Sequence, residues 1–295
     1  MKKNKLPVLD LSTLEDRQKY FLAKAGKEIA TLQKYFSKNN LVINMVGKKG
    51  SGKGTYTKMF LEALEIEAHH LSIGDLIRTS RLDHTIQKLL PTDTILDLIK
   101  RELNTHRDKT VFVDGFPRSI EQVAHAAKFT DFFVVIDVPE VVMDQRMKGR
   151  TICPVCQTPR DPKLLLTKYL EYESGEFYLR CDNPPCAKAR LVPKEGDKLG
   201  IEAIRERLDA DQKVMDHLNT LEVKKINLSA SVPIRQKDYY ADYEIHDIYD
   251  LEWDGKKVTP KAKKWVFKDD NGVGSYTLFP PVVVVRMVKE MMKLV

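Results

Sequence analysis

The run GKKGSGKGT at residues 47–55 contains the residue types that bind phosphate groups. Glycines let backbone N–H groups close around phosphate oxygens, a helix N-terminus adds positive potential, and the Lys53 ammonium can reach the outer phosphates. The usual pattern places Ser or Thr directly after the lysine to reach Mg²⁺, whereas here Gly54 follows and the hydroxyl comes at Thr55. The run predicts a nucleotide phosphate site formed by Gly50, Ser51, Gly52, Lys53, Gly54 and Thr55.

Several arginines stand where a strand or a helix can direct them at a phosphoryl group. Phosphoryl transfer needs donor and acceptor held in line, water excluded, and the developing charge neutralised. The run DGFPR at 114–118 follows a strand-like apolar run, at the strand end where α/β sheets bind ligands. Another run, LSIGDLIR, ends in Arg78, and the spacing of Arg146 and Arg150 predicts one face of a helix.

All four cysteines fall in one short segment, as the pairs Cys153/Cys156 and Cys181/Cys186. A predicted hairpin over 169–180 separates the pairs and would bring them together, which favours a tetrahedral structural Zn²⁺ site with every position filled. Disulfides or free thiols are the alternative, and a reducing compartment disfavours disulfides. Because a small insert buries little core, a metal could supply its folding energy.

Taken together, these motifs resemble the adenylate kinases, and the nucleoside monophosphate kinases more widely. The resemblance spans about residues 41–245 and rests on GSGKGT at 50–55, LSIGDLIR at 71–78, DGFPRS at 114–119 with Gln122, RMKGR at 146–150, and Arg207. It implies an α/β P-loop NTPase fold, with a parallel sheet, flanking helices, an inserted monophosphate-binding segment and a lid. Some members carry a four-ligand metal site in the lid, which fits the zinc interpretation of the four cysteines.

The resemblance also implies a role for each matching residue. Transfer chemistry would belong to Lys53, Asp114, Arg118, Arg150 and Arg207, with Asp114 near the Mg²⁺ that accompanies ATP. Beside the phosphate loop, Arg146 would stack on the ATP base and Arg150 would neutralise the transferring group. The acceptor would be bound by Ser72, Arg78, Asp114, Gly115, Arg118, Gln122, Lys194 and Arg207, where Arg78 and Arg118 hold the AMP phosphate and Gln122 reads the base.

Three departures from the family pattern bear on the acceptor. Ile73 replaces a threonine near the monophosphate base, the segment from Arg78 to Asp93 is short, and Lys194 stands in place of a lid arginine. Lysine cannot reproduce a bidentate guanidinium fork. The expected activity is reversible, Mg²⁺-dependent transfer of the ATP γ-phosphoryl group to AMP, giving two ADP. The alternatives are a UMP/CMP-type kinase, or a protein that binds nucleotides and a partner without catalysis.

The elements that position these residues alternate between strand and helix, as in a parallel sheet with crossover helices. We divide the chain into a helical extension at 1–40, a core at 41–149 with a monophosphate-binding insert near 71–104, a lid at 150–198, and a final part at 199–295 with an unmatched segment near 250–281. The extension should hold one long helix, opened by a Ser12/Glu15 capping box. This helix should pack on its own domain, and a subunit contact is the alternative.

Composition limits the remaining possibilities. The chain has 295 residues, a formal charge of +7, and no apolar run close to the ~18 residues of a membrane span. The basic start shows no apolar segment of a secretory signal, so we expect a cytoplasmic monomer that acts on small nucleotides. Lys261, Lys263 and Lys264 are interpreted as a solvated loop rather than a nucleic-acid site. The seven histidines show no metal-ligand spacing and are expected to be solvated or packed in the core.

Overall fold

The computed structural model describes residues 9–79 and 90–295. Its α-helices are α1 (Leu14–Phe36), α2 (Lys53–Leu64), α3 (Ile73–Thr79), α4 (Thr92–Thr105), α5 (Ile120–Ala126), α6 (Glu140–Lys148), α7 (Arg205–Thr220) and α8 (Pro280–Met291).

The strands of the described residues form one five-stranded sheet, two hairpins and two three-stranded sheets. They are β1 (Val42–Val46), β2 (His69–Ser72), β3 (Val111–Asp114), β4 (Phe132–Asp137), β5 (Thr151–Ile152), β6 (Pro159–Arg160), β7 (Tyr169–Glu173), β8 (Glu176–Arg180), β9 (Val192–Pro193), β10 (Lys225–Ser229), β11 (Ser231–Pro233), β12 (Asp247–Trp253), β13 (Val258–Lys264), β14 (Val266–Lys268) and β15 (Gly274–Thr277).

The chain folds into two compact units, each made of separate stretches of sequence. The first unit is built from residues up to Asp137, Glu206–Ala230 and Pro280–Val295. The second contains Val138–Arg205 and Ser231–Phe279.

A five-stranded sheet in the order β10-β4-β1-β3-β2 forms the centre of the first unit, and every neighbouring pair is parallel. Central residues such as Ile43, Phe112 and Val134 are completely buried, as expected for a parallel sheet covered on both faces. This sheet confirms the parallel α/β core predicted from the alternation of strands and helices, and it agrees with the P-loop NTPase fold that the resemblance implies.

Helix α1 packs on its own unit, against α2 and α8. Phe36 in α1 contacts Phe60 in α2 with ring centroids 5.9 Å apart, and Phe60 continues the contact to Phe112 in the sheet at 5.8 Å. The predicted capping box is wrong in its residues: Thr13 caps α1 by accepting from the Asp16 N–H, whereas Ser12 bonds Asp10. The cap therefore lies one residue later than the sequence pattern indicates.

The second unit combines α6 with short antiparallel pieces. β7 and β8 form the hairpin predicted over 169–180, and β6-β5-β9 make a separate three-stranded sheet. The hairpin β12–β13 contacts the first hairpin, since the rings of Tyr172 and Trp253 stack with centroids 5.4 Å apart. A third small sheet has the order β11-β15-β14.

The lysines predicted to lie in a solvated loop lie instead in strand β13. Across the hairpin, Lys261, Lys263 and Lys264 pair with Glu252, Asp250 and Asp247 at 2.7, 2.6 and 2.8 Å. The loop interpretation is therefore wrong, because these lysines lie in a strand that pairs with β12 and carry cross-strand ion pairs. The positive charge of these lysines is balanced within the hairpin.

Gly149, which follows α6, is predicted to tolerate no side chain. A Cβ there would collide with the Asp161 carboxylate, which is fixed by the N–H groups of Lys163 and Leu164 at 2.7 and 3.1 Å. We expect Gly149→Ala to cost about 1–3 kcal/mol of stability, the usual range for overpacking, and to lower the thermal midpoint. Gly26→Ala is the matched control, because a Cβ at Gly26 meets no atom within 4 Å. Equal midpoints for the two variants would contradict this packing.

A bilayer-spanning helix is not found in the part of the chain that the structure describes.

Candidate active site

The phosphate loop connects β1 to α2 in the first unit, as the sequence predicts. Gly52 is the N-cap of α2, and its φ of +93° lies in the left-handed region that favours glycine. Because glycine has no side chain, the Gly52 position leaves the N-terminus of the helix open to a phosphate group. A Cβ at Gly47 would lie 2.7 Å from the Ile136 carbonyl oxygen and 2.9 Å from Ser51 Oγ. The tight path of this loop therefore depends on glycine at both positions.

Lys53, the first residue of α2, is held by the loop itself. Its Nζ donates to the carbonyl oxygens of Gly47 and Lys48 at 2.8 and 3.3 Å, and lies 3.7 Å from Asp114 Oδ1. Burial lowers the pKa of Lys53, while the charge of Asp114 acts in the opposite direction. The ammonium is thus fixed beside the end of β3.

The run from Asp114 to Gln122 folds into a turn that holds Arg118. Arg118 Nε donates to the Gly115 carbonyl oxygen at 2.8 Å, and its backbone N–H donates to Gln122 Oε1 at 2.8 Å. Gln122 Nε2 donates in turn to Thr92 Oγ1 at 3.4 Å. Both ends of the buried Gln122 amide therefore bond to the protein itself.

Helix α7 contributes Arg207 and an acidic residue that the sequence motifs did not single out, Asp211. Asp211 Oδ2 accepts the Lys49 N–H at 3.0 Å and lies 4.0 Å from Arg207 Nε. This Nε is buried and makes no hydrogen bond within the described residues. The four-residue spacing of Arg207 and Asp211 on a helix was the available signal for Asp211.

These side chains meet at an open cavity at the carboxyl ends of β1 and β3, lined by Met45, Val46, Gly47, Lys53, Gly115, Phe116, Pro117, Arg118, Arg207, Asp211 and Val214. Burial, and the neighbouring Arg207 guanidinium, lower the pKa of Arg118. The charges of Arg118 and Arg207 also lower the pKa of Lys53. Three cations that repel one another in a confined space form a site suited to a polyanion such as a chain of phosphates.

Other predicted residues lie near this cavity without lining it. Gly50, Ser51, Gly52, Gly54 and Thr55 belong to the loop and the first turn of α2. Ser72 Oγ accepts the Asp75 N–H at 3.3 Å, and Ile73 is buried in the hydrophobic core. The side chain of Arg78 lies outside the described residues, as does most of the short segment that follows it.

Arg146, Arg150 and Lys194 belong to the second unit. The prediction that Arg146 and Arg150 share one helix face is wrong, because α6 ends at Lys148 and Gly149 caps it. Arg150 instead follows the helix, and its Nε donates to the buried Asp197 Oδ2 at 2.6 Å. The Lys194 N–H donates to the Arg150 carbonyl oxygen at 3.0 Å, so these two residues are neighbours.

The four cysteines converge in the second unit. Their Sγ atoms all lie within 4.8 Å of one another, and no disulfide joins these cysteines. The Cys156–Cys181 Sγ distance is 3.7 Å, close to the ~3.8 Å edge of a tetrahedron with Zn–S bonds of about 2.3 Å. Hydrogen bonds to Thr158 lower the pKa of Cys156 to about 6, whereas burial raises the pKa of Cys186 to about 12. The geometry and chemistry of this set fit a structural zinc ion.

The sequence of this chain matches one family model and several curated adenylate kinases. Residues 46–152 match the model of a family described as an AAA domain. An adenylate kinase of Clostridium novyi is 33% identical over 185 residues, which is 56% of this chain and 78% of the relative. One from Thermotoga neapolitana is 30% identical over 58% of this chain and 82% of the relative, and one from Borrelia garinii subsp. bavariensis is 31% identical over 50% and 77%. With its phosphate loop, its Asp114–Arg118 turn and relatives matched over most of their length, this chain belongs to the adenylate kinase family.

Proposed function

We propose that this chain transfers the γ-phosphoryl group of Mg·ATP to AMP, reversibly, and produces two molecules of ADP. The main support is the convergence of Lys53, Arg118 and Arg207 on one cavity at the ends of β1 and β3. A site that only bound a nucleotide would not need three mutually repelling cations around one phosphoryl group. Membership of the adenylate kinase family supports AMP as the acceptor.

The reaction joins an oxygen of the AMP phosphate to the γ-phosphorus of ATP and breaks the bond from that phosphorus to the β,γ-bridging oxygen. In this proposal, Lys53 and the loop N–H groups bind the ATP phosphates, and Arg118 holds the AMP phosphate in line for attack. Arg207, whose Nε makes no hydrogen bond among the described residues, neutralises the transferring group.

Mg²⁺ bound with ATP neutralises phosphate charge. The side-chain oxygens of Asp114 and Thr55 are metal ligands of the kind that this ion prefers. Asp114 ends β3, and its carboxylate lies 3.7 Å from Lys53 Nζ, at the edge where the phosphates bind. We assign Asp114 to the neighbourhood of the ion and Thr55 to the role that the residue after the lysine usually plays.

The acceptor residues of this proposal are Ser72, Arg78, Gly115 and Gln122, together with Arg118. Gln122 also positions Arg118, because it accepts the Arg118 N–H. In the second unit, Arg146 stacks on the ATP base, Arg150 neutralises phosphate charge, and Lys194 binds a phosphate. The segment boundaries given from the sequence, with 150–198 as the lid, form part of the same proposal.

Initial rates with Mg·ATP and AMP, UMP, CMP or GMP test the choice of acceptor. AMP should give the highest kcat/KM, and the Ile73→Thr variant should keep this order because Ile73 is buried in the core. A higher kcat/KM for UMP or CMP would move the activity to the pyrimidine nucleotides. Nucleotide binding without turnover of any acceptor would contradict the enzymatic function.

The four cysteines hold a structural Zn²⁺ in this proposal, which is supported by their four sulfur atoms lying within 4.8 Å of one another. We expect the purified chain to retain about one zinc ion after dialysis, since all four positions would be filled by thiolates. Cys181→Ser should release this ion and lower the thermal midpoint, as metal binding contributes folding free energy.

Glu176→Gln is the matched control, because this exposed residue lies on the same hairpin. Metal content is measured by atomic emission, and the midpoint by differential scanning fluorimetry. Full zinc content in Cys181→Ser would contradict the four-cysteine site.

A further inference from the structure

Three side chains with metal-binding atoms meet away from the proposed active site, in the first unit. His69 begins β2, Glu102 lies in the last turn of α4, and His106 caps that helix. Their ligand atoms all lie within 4.8 Å of one another. Spacing along the chain does not indicate this cluster, because His69 and Glu102 are 33 positions apart and only the fold brings them together.

The distances in the cluster fit a metal ion better than hydrogen bonds. Glu102 Oε2 lies 3.5 Å from His69 Nε2 and 3.7 Å from His106 Nε2, which is longer than a well-formed hydrogen bond. Ligands at ~2.0–2.1 Å in a tetrahedron are roughly 3.3 Å apart, so small side-chain movements would place all three on one ion. His69 Nε2 is buried and makes no hydrogen bond to the described residues.

Both imidazoles face the same carboxylate oxygen, since the two Nε2 atoms each lie within 3.7 Å of Glu102 Oε2. Their rings stack with centroids 3.6 Å apart and an interplanar angle of 19°.

We propose that His69, Glu102 and His106 form a binding site for a divalent transition-metal ion such as Zn²⁺ or Co²⁺. Two imidazoles and one carboxylate suit these ions, and a fourth position remains for water. The ion would join the start of β2 to the end of α4, and so would fix the two ends of the segment between them. His69 pairs with Val111, and Ser72 with Asp114, so the site lies three residues, about 10 Å, along β2 from the carboxyl edge.

The test uses the full chain with zinc in its cysteine cluster, titrated with Co²⁺ and followed by calorimetry and visible absorption. One equivalent of Co²⁺ should bind with d–d bands and without a new thiolate-to-metal charge-transfer band. His69→Gln and His106→Gln should each raise the Kd at least tenfold, since loss of a second-shell partner alone costs 10–100-fold. His217→Gln, a change on helix α7 of the same unit, should leave the Kd unchanged.

Turnover of ATP and AMP serves as the check on folding, because no residue of this cluster lines the phosphate cavity. Co²⁺ should also raise the thermal midpoint of the wild type more than that of His106→Gln. The proposal is overturned if no Co²⁺ binds or if the ion replaces zinc at the thiolates. It is also overturned if the His69→Gln and His106→Gln variants both remain active and both bind Co²⁺ with the Kd of the wild type.

Discussion

Replacing Lys53 by methionine is expected to lower kcat for ADP formation by about 10³-fold, the loss seen when a transition-state hydrogen-bond donor is removed. Methionine keeps the length of the side chain but removes the ammonium that bonds Gly47 and Lys48 and faces Asp114. These partners fix the Lys53 ammonium in place before substrate arrives. Steady-state rates with Mg·ATP and AMP measure the effect.

Lys58→Met is the matched control, since Lys58 is an exposed residue of the same helix. It should keep the kcat of the wild type, and both variants should show the circular dichroism of the folded chain. A Lys53→Met enzyme that retained a tenth or more of the wild-type kcat would remove Lys53 from the transfer step.

The second large effect is expected at Arg118, where lysine keeps the charge but loses the guanidinium fork. In the structure, Nε is engaged by the Gly115 carbonyl oxygen at 2.8 Å, which directs the rest of the group toward the cavity. Lysine cannot bond Gly115 and a phosphate in this geometry. We expect Arg118→Lys to lower kcat/KM for AMP about 100-fold, because misplacement of about 1 Å costs a factor of that order.

The KM for ATP separates this role from general damage to the site. It should change little in Arg118→Lys if Arg118 holds the acceptor, whereas a collapsed loop would raise it as well. Arg107→Lys, at an exposed position of the same unit, should behave as the wild type. Equal losses of affinity for ATP and AMP would contradict the assignment of Arg118 to AMP.

The parts of the site that the sequence predicted are encoded in short runs. GKKGSGKGT lies between a strand and a helix, and DGFPR lies at the end of strand β3, as their patterns indicate. Within such a run, backbone geometry and function depend on the same few neighbouring residues. The β7–β8 hairpin was predicted for the same reason, since a Ser174-Gly175 turn joins two runs of strand-forming residues.

The parts that the sequence did not predict depend on contacts between distant residues. Asp211 reaches the loop only because α7 places its carboxylate beside the Lys49 N–H, 162 residues earlier in the chain. His69 and His106 likewise meet only after β2 and α4 have packed. Spacing along the chain does not encode contacts between distant residues, so the motifs predict neither contact.

Two errors concern where a helix begins or ends. Ser12 and Thr13 are both good caps, and Thr13 caps α1, while Ser12 bonds Asp10. Four-residue spacing suggested one helix for Arg146 and Arg150, but Gly149 ends α6 between them. In both cases local propensities allow two neighbouring boundaries, and tertiary contacts such as the Arg150–Asp197 pair select one.

The most direct test of the central claim is to follow diphosphate formation from Mg·ATP and AMP by the purified chain, with Lys53→Met as the blank. We predict two ADP formed for each ATP and AMP consumed, with turnover in the wild type and about 10³-fold less in the blank. Equal rates in both proteins, or ATP bound by the wild type without any ADP formed, would contradict a phosphoryl-transfer site at the Lys53–Arg118–Arg207 cavity.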